Sequence, residues 1–412
     1  MDDLEFEERV VLINMIDKIC ITGTGVVTAL GFDTNTCFQN LCCKMEAINE
    51  LDDEYLIDFP KKRMINITTP LPNEDDKNNY GRACAMSMIA AQQALLEAQI
   101  DKKTNNVGVC IGTTSGNIGE FEKWYLDNHK HSLSNLEQKI QSNYPLCSIT
   151  EAISDKYSLT GVRTTISGTC ASGAVAIQTA FHWISSGFAD IVLCGGVDVW
   201  RTLTQITLSK YRLITSNVMK SFDSNRDGML IGEGAGFIIL ESEKSAKTRG
   251  VEIKAYLKGC GSSNDYKSLS ENYSPAENTV LSMRKALLNA ALEIDDIDCL
   301  FANGLATKIS DSHEIIAINE VFQNRIKNEF YITTIKSGLG HILGASGAVN
   351  IAIAVETLCN QIVPPIKNLT NPDPSLVVGI LPSAATPCTI KNIMCSCTSF
   401  SGYSIHMILG KE

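Results

Sequence analysis

Short β-rich apolar runs alternate with longer helical stretches through almost the whole chain, and this alternation restricts the fold more than any other feature. Residues 18–27, 106–112 and 189–196 read as strands. Residues 80–98 and 171–186 carry apolar side chains at three- and four-residue spacing, which predicts helices. Strand, helix and strand in that order is the pattern of a largely parallel α/β sheet.

A second set of elements follows: strand 253–259, helix 277–292, strand 299–302, helix 311–322, strand 331–334, helix 346–359, and strands 389–396 and 404–409. Its order looks like a second copy of the first set, without sequence identity between the two, so a duplicated unit is expected. No low-complexity linker separates them. The expected division is an N-terminal extension over 1–16, a first half over 17–251 and a second half over 252–412.

With 412 residues, 44% hydrophobic and 20% charged, the chain can bury the deep core that such a duplication needs. A formal charge of −11 argues against a nucleic-acid partner, because phosphate contact needs clustered basic surface. The 15 cysteines are scattered through the chain, with no CxxC pair and no zinc spacing, which predicts buried reduced thiols and no metal. The first 16 residues hold Asp2, Asp3, Glu5, Glu7 and Glu8, unlike a secretory signal. The longest apolar stretches are broken by Gly, Ser or charge short of the roughly 18 residues of a membrane span. A cytoplasmic protein with no membrane span is expected.

Residues 163–176 read RTTISGTCASGAVA: a strand, a turn of small residues, then a helix whose first turn starts at about Cys170. A thiol at a helix N-terminus faces the positive end of the macrodipole, which predicts a lowered pKa and a nucleophile. Gly168, Ala171, Ser172 and Gly173 leave room for a thioester, and backbone N–H groups at such a turn can form an oxyanion hole.

The segment 168–173 (GTCASG) resembles the T-A-C-A-S-G nucleophile motif of the β-ketoacyl-acyl-carrier-protein synthases, and the likeness runs over about residues 18–409. Residues 22–31 (TGTGVVTALG) look like that family's opening strand and turn; as a dinucleotide fingerprint they fail, with Thr28 where a glycine is wanted. Residues 221–236 (SFDSNRDGMLIGEGAG) are similar to a second family signature, in which Asp223, Arg226 and Glu233 would brace a loop against the active site. Residues 334–347 (TIKSGLGHILGASG) resemble the block that supplies Lys336 and His341. The resemblance implies a neutral His341 imidazole donating a hydrogen bond to the malonyl thioester carbonyl, and a Glu314 that pairs with Lys336. Asp311 beside it reads as a helix N-cap. The implied fold is the α/β thiolase fold, a duplicated five-layer αβαβα architecture.

Four positions depart from that family's pattern. Its first catalytic histidine lies in H-G-T-x-T, and the matching stretch here is Asn303-Gly304-Leu305-Ala306-Thr307. Asn303 can still donate through its amide N–H, although relatives with one His and one Asn carry the Asn at the other site. Leu305 replaces a threonine that contacts the phosphopantetheine arm, and Met229 replaces a phenylalanine near the malonyl pocket. In the C-terminal loop Phe400 keeps the gating position, while its partner aromatic is Gly402. Phe400, Met229, Thr307 and Leu305 are thus the implied pocket and gate, and Cys170, His341 and Asn303 the implied catalytic groups.

Three functions fit this pattern. The first is a condensing enzyme that loads an acyl chain on Cys170 and joins it to malonyl-carrier protein in fatty acid or polyketide biosynthesis. The second is a non-elongating acyl transferase or hydrolase of the same fold. The third is a chain-length-factor-like subunit that shapes the tunnel of an active partner, which the retained Cys170 argues against. A thiolase proper is disfavoured because its C-x-G-x-G motif is missing; Cys395 and Cys397 are spaced otherwise. The resemblance implies a homodimer, or a heterodimer with another ketosynthase-like subunit, and substrates carried on the phosphopantetheine of an acyl carrier protein with no bound cofactor. Carrier proteins are acidic, and Lys61, Lys62 and Arg63 are the candidate contact.

Overall fold

The structure, a computed structural model, describes residues 17–51, 63–71, 81–101, 104, 106–119, 122, 145–265, 276–323, 325 and 330–412. The expected extension over 1–16 and the candidate contacts Lys61 and Lys62 lie outside these residues.

Ten strands form the principal sheet: β1 (Ile19–Thr28), β2 (Gly108–Gly112), β3 (Arg163–Ile166), β4 (Ile191–Asp198), β5 (Gly234–Ser242), β6 (Ala255–Asn264), β7 (Cys299–Phe301), β8 (Tyr331–Thr333), β9 (Asn392–Thr398) and β10 (Tyr403–Gly410). Their order across the sheet is β8-β7-β9-β10-β6-β1-β5-β4-β2-β3. Read outward from the junction of β1 and β6, each side runs first, fifth, fourth, second, third in its own chain order. The two halves therefore share one topology, the duplication expected from element order. They join at only two register pairs, Cys20 with Tyr256 and Ile21 with Ala255.

The sheet is mixed, which corrects the expectation of a largely parallel one. β3, β2 and β4 run parallel, as do β8, β7 and β9, but β5 and β10 are antiparallel to both neighbours. β5 is absent from the expected strands, because its apolar run begins inside the glycine-rich signature.

Three helical layers cover and separate the two half-sheets. On one outer face α1 (Arg82–Glu97) and α2 (Ser148–Tyr157) pack on the first half-sheet, with Ala90 and Ala94 against Phe237 and Ile239. Between the half-sheets lie α3 (Ser172–Ser185) and, following α4 (Thr202–Lys210), α5 (Glu277–Ala290) and α6 (Lys308–Val321), the helix α7 (Ser346–Asn360). The helices α5 and α6 form the other outer layer. The result is the five-layer thiolase fold.

Every residue over 346–358 of α7 is buried, because the helix meets a sheet on either side and α3 along its length. Such a helix is apolar all round. The stretch Leu343–Asn360 accordingly reaches 18 residues at a mean hydropathy of 1.2, but Gly344, Ser346, Gly347 and Glu356 interrupt it, as expected of the apolar stretches in this sequence, and 89% of it is buried in protein, as in a core helix. All 15 cysteines are free thiols.

Close approach of α3 and α7 brings the two chemical blocks together. A Cβ on Gly173 would stand 2.7 Å from the Gly344 carbonyl oxygen, and one on Gly347 would stand 2.8 Å from the Ala174 Cβ. Glycine at both positions lets the turn carrying Cys170 meet the turn carrying His341.

Candidate active site

Cys170 sits in the turn before α3, which begins at Ser172, two residues later than the sequence suggests. Thr169 just before it is left-handed at φ 53, a conformation that costs a non-glycine residue on the order of 1 kcal/mol and sharpens the turn. The Ser172 hydroxyl locks this turn by accepting the Gly168 N–H at 2.9 Å and donating to the Thr169 carbonyl at 2.6 Å.

The expected low thiol pKa is not found. Burial pushes the Cys170 thiol up to about 12, and the acidic groups of Cys397 and Asp198 nearby add to the rise, while the Phe400 N–H and Lys336 oppose it. Desolvation by residues distant in the sequence outweighs the helix terminus, and the resting nucleophile is a neutral thiol.

His341 follows the short helix Lys336–Leu339, fixed by its own N–H to the Leu230 carbonyl at 2.8 Å and by its carbonyl to the Gly232 N–H at 3.0 Å. Its Nδ1 lies 3.1 Å from the Ser346 hydroxyl. Burial, helped by Lys336, holds its pKa down to about 3, so the ring is neutral at pH 7, as the resemblance implied.

Asn303 is 2% exposed and lies behind the pocket wall. The Lys336 ammonium donates to its carbonyl oxygen and to its Oδ1, both at 2.8 Å, and the Thr398 N–H approaches Oδ1 at 3.4 Å. With Oδ1 occupied, the amide N–H remains as the donor. Glu314 does not pair directly with Lys336, which corrects the expected ion pair. Its two carboxylate oxygens instead accept the N–H groups of Asn303 and Gly304 at 2.7 and 2.8 Å. Burial pushes Lys336 down and Glu314 up, and each partly offsets the other.

Asp311 is no N-cap either; Thr307 caps α6 through the Ser310 N–H. Asp311 accepts the N–H groups of Ala306 and Phe222, both at 2.9 Å, and so ties the Asn303 loop to the loop of the second signature. Burial raises its pKa from 3.8 to about 7. The folded state therefore keeps a proton that the unfolded chain gives up, and the stability this group confers is full below about pH 4 and lost as pH rises towards 7. Asp311→Asn should melt lower at pH 5, since its amide cannot accept both N–H groups, but should lose less stability between pH 5 and pH 7 than the natural protein. Thermal melts at the two pH values check this, and an undiminished loss in the variant would contradict it.

The signature acids and arginine do brace loops. Asp223 accepts the N–H groups of Thr370 and Asn371 at 2.8 and 2.7 Å, Arg226 reaches Asp373 at 2.6 Å, and Glu233 pairs with Arg82 at 2.7 Å. Arg63, the described member of the proposed carrier contact, is paired with Glu50 at 3.3 Å.

One pocket of about 570 Å³ gathers Cys170, His341, Phe400, Met229, Leu305 and Thr307. Asn303, Lys336 and Glu314 support it from behind. Phe400 is 42% exposed and its ring meets Tyr211 at 5.8 Å, so it stands at the mouth. Sequence reasoning missed Asp198, which accepts the Thr113 hydroxyl at 2.9 Å and the Gly344 N–H at 2.6 Å and so joins the two halves beside the nucleophile. A lone acid closing the apolar run of β4 was the available signal. It also missed Thr114 and Arg201 on the pocket wall, for which the local sequence carries none.

The chain matches the family profiles described as "Beta-ketoacyl synthase, N-terminal domain" over residues 17–246 and "Beta-ketoacyl synthase, C-terminal domain" over 254–370. It is 26% identical to the 3-oxoacyl-[acyl-carrier-protein] synthase 2 of Staphylococcus aureus, covering 96% of this chain and 98% of that one. Among solved structures, a β-ketoacyl synthase from Burkholderia phymatum superposes with a TM-score of 0.88 at 24% identity, over 96% of this chain and all of the other. The ishigamide ketosynthase/chain length factor superposes with a TM-score of 0.87 at 24% identity, again over 96% of this chain and 100% of that one. With the nucleophile turn, the neutral histidine and the duplicated sheet in one arrangement, the chain belongs to the β-ketoacyl synthase family.

Proposed function

We propose that the protein loads an acyl group on Cys170 from a carrier-protein thioester and condenses it with a malonyl unit on the same kind of carrier, at a rate held down by Asn303. The observation that carries this reading is the shared pocket of Cys170 and His341, with Asn303 set behind its wall. In the loading step the Cys170 sulfur attacks the thioester carbonyl, the bond to the pantetheine sulfur breaks, and the thiol proton leaves on that sulfur. The backbone N–H groups of Cys170 and Phe400 face the developing oxyanion. In the second step His341 donates a hydrogen bond to the malonyl carbonyl as CO2 departs, the carbanion so formed attacks the acyl carbonyl, and the bond to the Cys170 sulfur breaks. Asn303, set behind the wall, contributes little to holding the malonyl carbonyl.

The carrier is an acyl carrier protein, as in the name of the Staphylococcus relative, and its phosphopantetheine arm is substrate here. The enzyme works as a dimer in the cytoplasm, each subunit built of halves 17–251 and 252–412. A solved neighbour pairs a ketosynthase with a chain length factor, and the retained Cys170 argues for this chain as the catalytic side of any such pair. The acyl-transfer reading without elongation is favoured by one observation, the seclusion of Asn303 from the pocket wall.

Release of CO2 from malonyl-carrier protein separates the two readings. Natural turnover should fall below the roughly 1–1000 per second typical of enzymes, and Asn303→His should raise it modestly. Natural turnover inside that range would refute the restraint assigned to Asn303, and no gain from the histidine would favour transfer without elongation.

A further inference from the structure

Alongside Leu203 and Leu208, α4 brings Thr204 and Thr207, polar side chains that a hydrocarbon tunnel does not need, to the wall of the pocket. Thr204, Thr207, Leu208 and Tyr211 line it at the spacing of one helix face, and Arg201 stands at the head of that face. The Arg201 stem is confined, because even a Cβ on Gly119 would come within 3.3 Å of its Cγ and Cδ. Its side chain is 17% exposed, and its Nε is buried without a hydrogen-bond partner. Among the described residues its one charged neighbour is Glu122, at 3.9 Å, too far for a hydrogen bond. Glu122 spends Oε1 on the Leu203 N–H at 2.7 Å, and its Oε2 has no hydrogen-bond partner.

A guanidinium carries five N–H donors, and leaving them desolvated beside an alkyl chain would be unfavourable. A ligand oxygen would satisfy them. The nearby Glu122 carboxylate balances the charge and would repel an anion, so the complementary group is neutral. Resting on the proposed acyl-enzyme, we propose that the chain held on Cys170 is an oxygenated acyl group, bearing a ketone or hydroxyl along its length, and that Arg201, with Thr204 and Thr207, reads that oxygen.

The test follows acylation of Cys170 by intact-protein mass, using octanoyl-pantetheine, a panel of oxo-octanoyl-pantetheines differing in the position of the ketone, and an octanoyl-pantetheine ending in a carboxylate. These probes lack the carrier's phosphate, so no preference among them can come from it. The best ketone should react at least ~10-fold faster than octanoyl, the factor one hydrogen bond to a charged donor supplies. Arg201→Leu should bring that ratio close to one, and Thr204→Val, a smaller change on the same wall, should lower it. A natural ratio near one, a ratio that survives Arg201→Leu and Thr204→Val, or a preference for the carboxylate would overturn the proposal while leaving the acyl-enzyme intact. Absence of acylation with every probe would overturn the acyl-enzyme reading and this inference with it.

Discussion

Cys170→Ala is expected to abolish the acyl-enzyme completely while the protein keeps its fold. The thiol is the only group at the turn that can form the thioester, whereas the contacts that shape the turn are made by the Ser172 hydroxyl and by backbone atoms that alanine retains. Even the contact from Cys397 goes to the Cys170 carbonyl oxygen, at 3.8 Å, rather than to its sulfur. Loss of one sulfur from a half-buried site should change stability by only about 1 kcal/mol. Small thioesters can also acylate surface thiols, and Cys43, Cys147 and Cys359 are exposed, so the acylated residue must be located by peptide mapping. Acyl mass gained by the alanine variant on another cysteine of the same pocket would remove the central claim.

Local chemistry is legible wherever the relevant partners are close in sequence. The strands and helices around Cys170 and His341 can be read because apolar periodicity is a local signal, and the glycines that let α3 and α7 meet lie within the same motifs. Strand direction cannot, because nothing within the apolar run of β5 tells whether its neighbours run with it or against it. The Cys170 pKa is expected with the wrong sign for the same reason: its helix is local, but the desolvation and the charges that dominate come from residues such as Asp198 and Cys397. The Glu314 and Lys336 side chains are each expected in the site, yet their backbone partners at Asn303 and Gly304 are groups that side-chain matching does not predict.

His341→Ala should slow any malonyl-dependent step on the order of 100-fold or more, the usual cost of one donor to a developing oxyanion, and should slow loading of Cys170 far less. The distinction follows from protonation. With its pKa held near 3, the imidazole cannot serve as a cation near neutrality, and it is a weak base for the Cys170 thiol at about 12. What it offers is a neutral N–H whose hydrogen bond strengthens as charge gathers on the malonyl oxygen when CO2 leaves. In the mechanism proposed above, the loading step develops its charge elsewhere, beside the N–H groups of Cys170 and Phe400. A neutral donor also predicts that no ionisation of His341 will show in the rate between pH 5 and pH 8. Single-turnover loading followed by mass, alongside CO2 release across that range, measures both steps. Equal losses in the two steps would show that alanine has disturbed the turn held by Leu230, Gly232 and Ser346 instead of removing a donor.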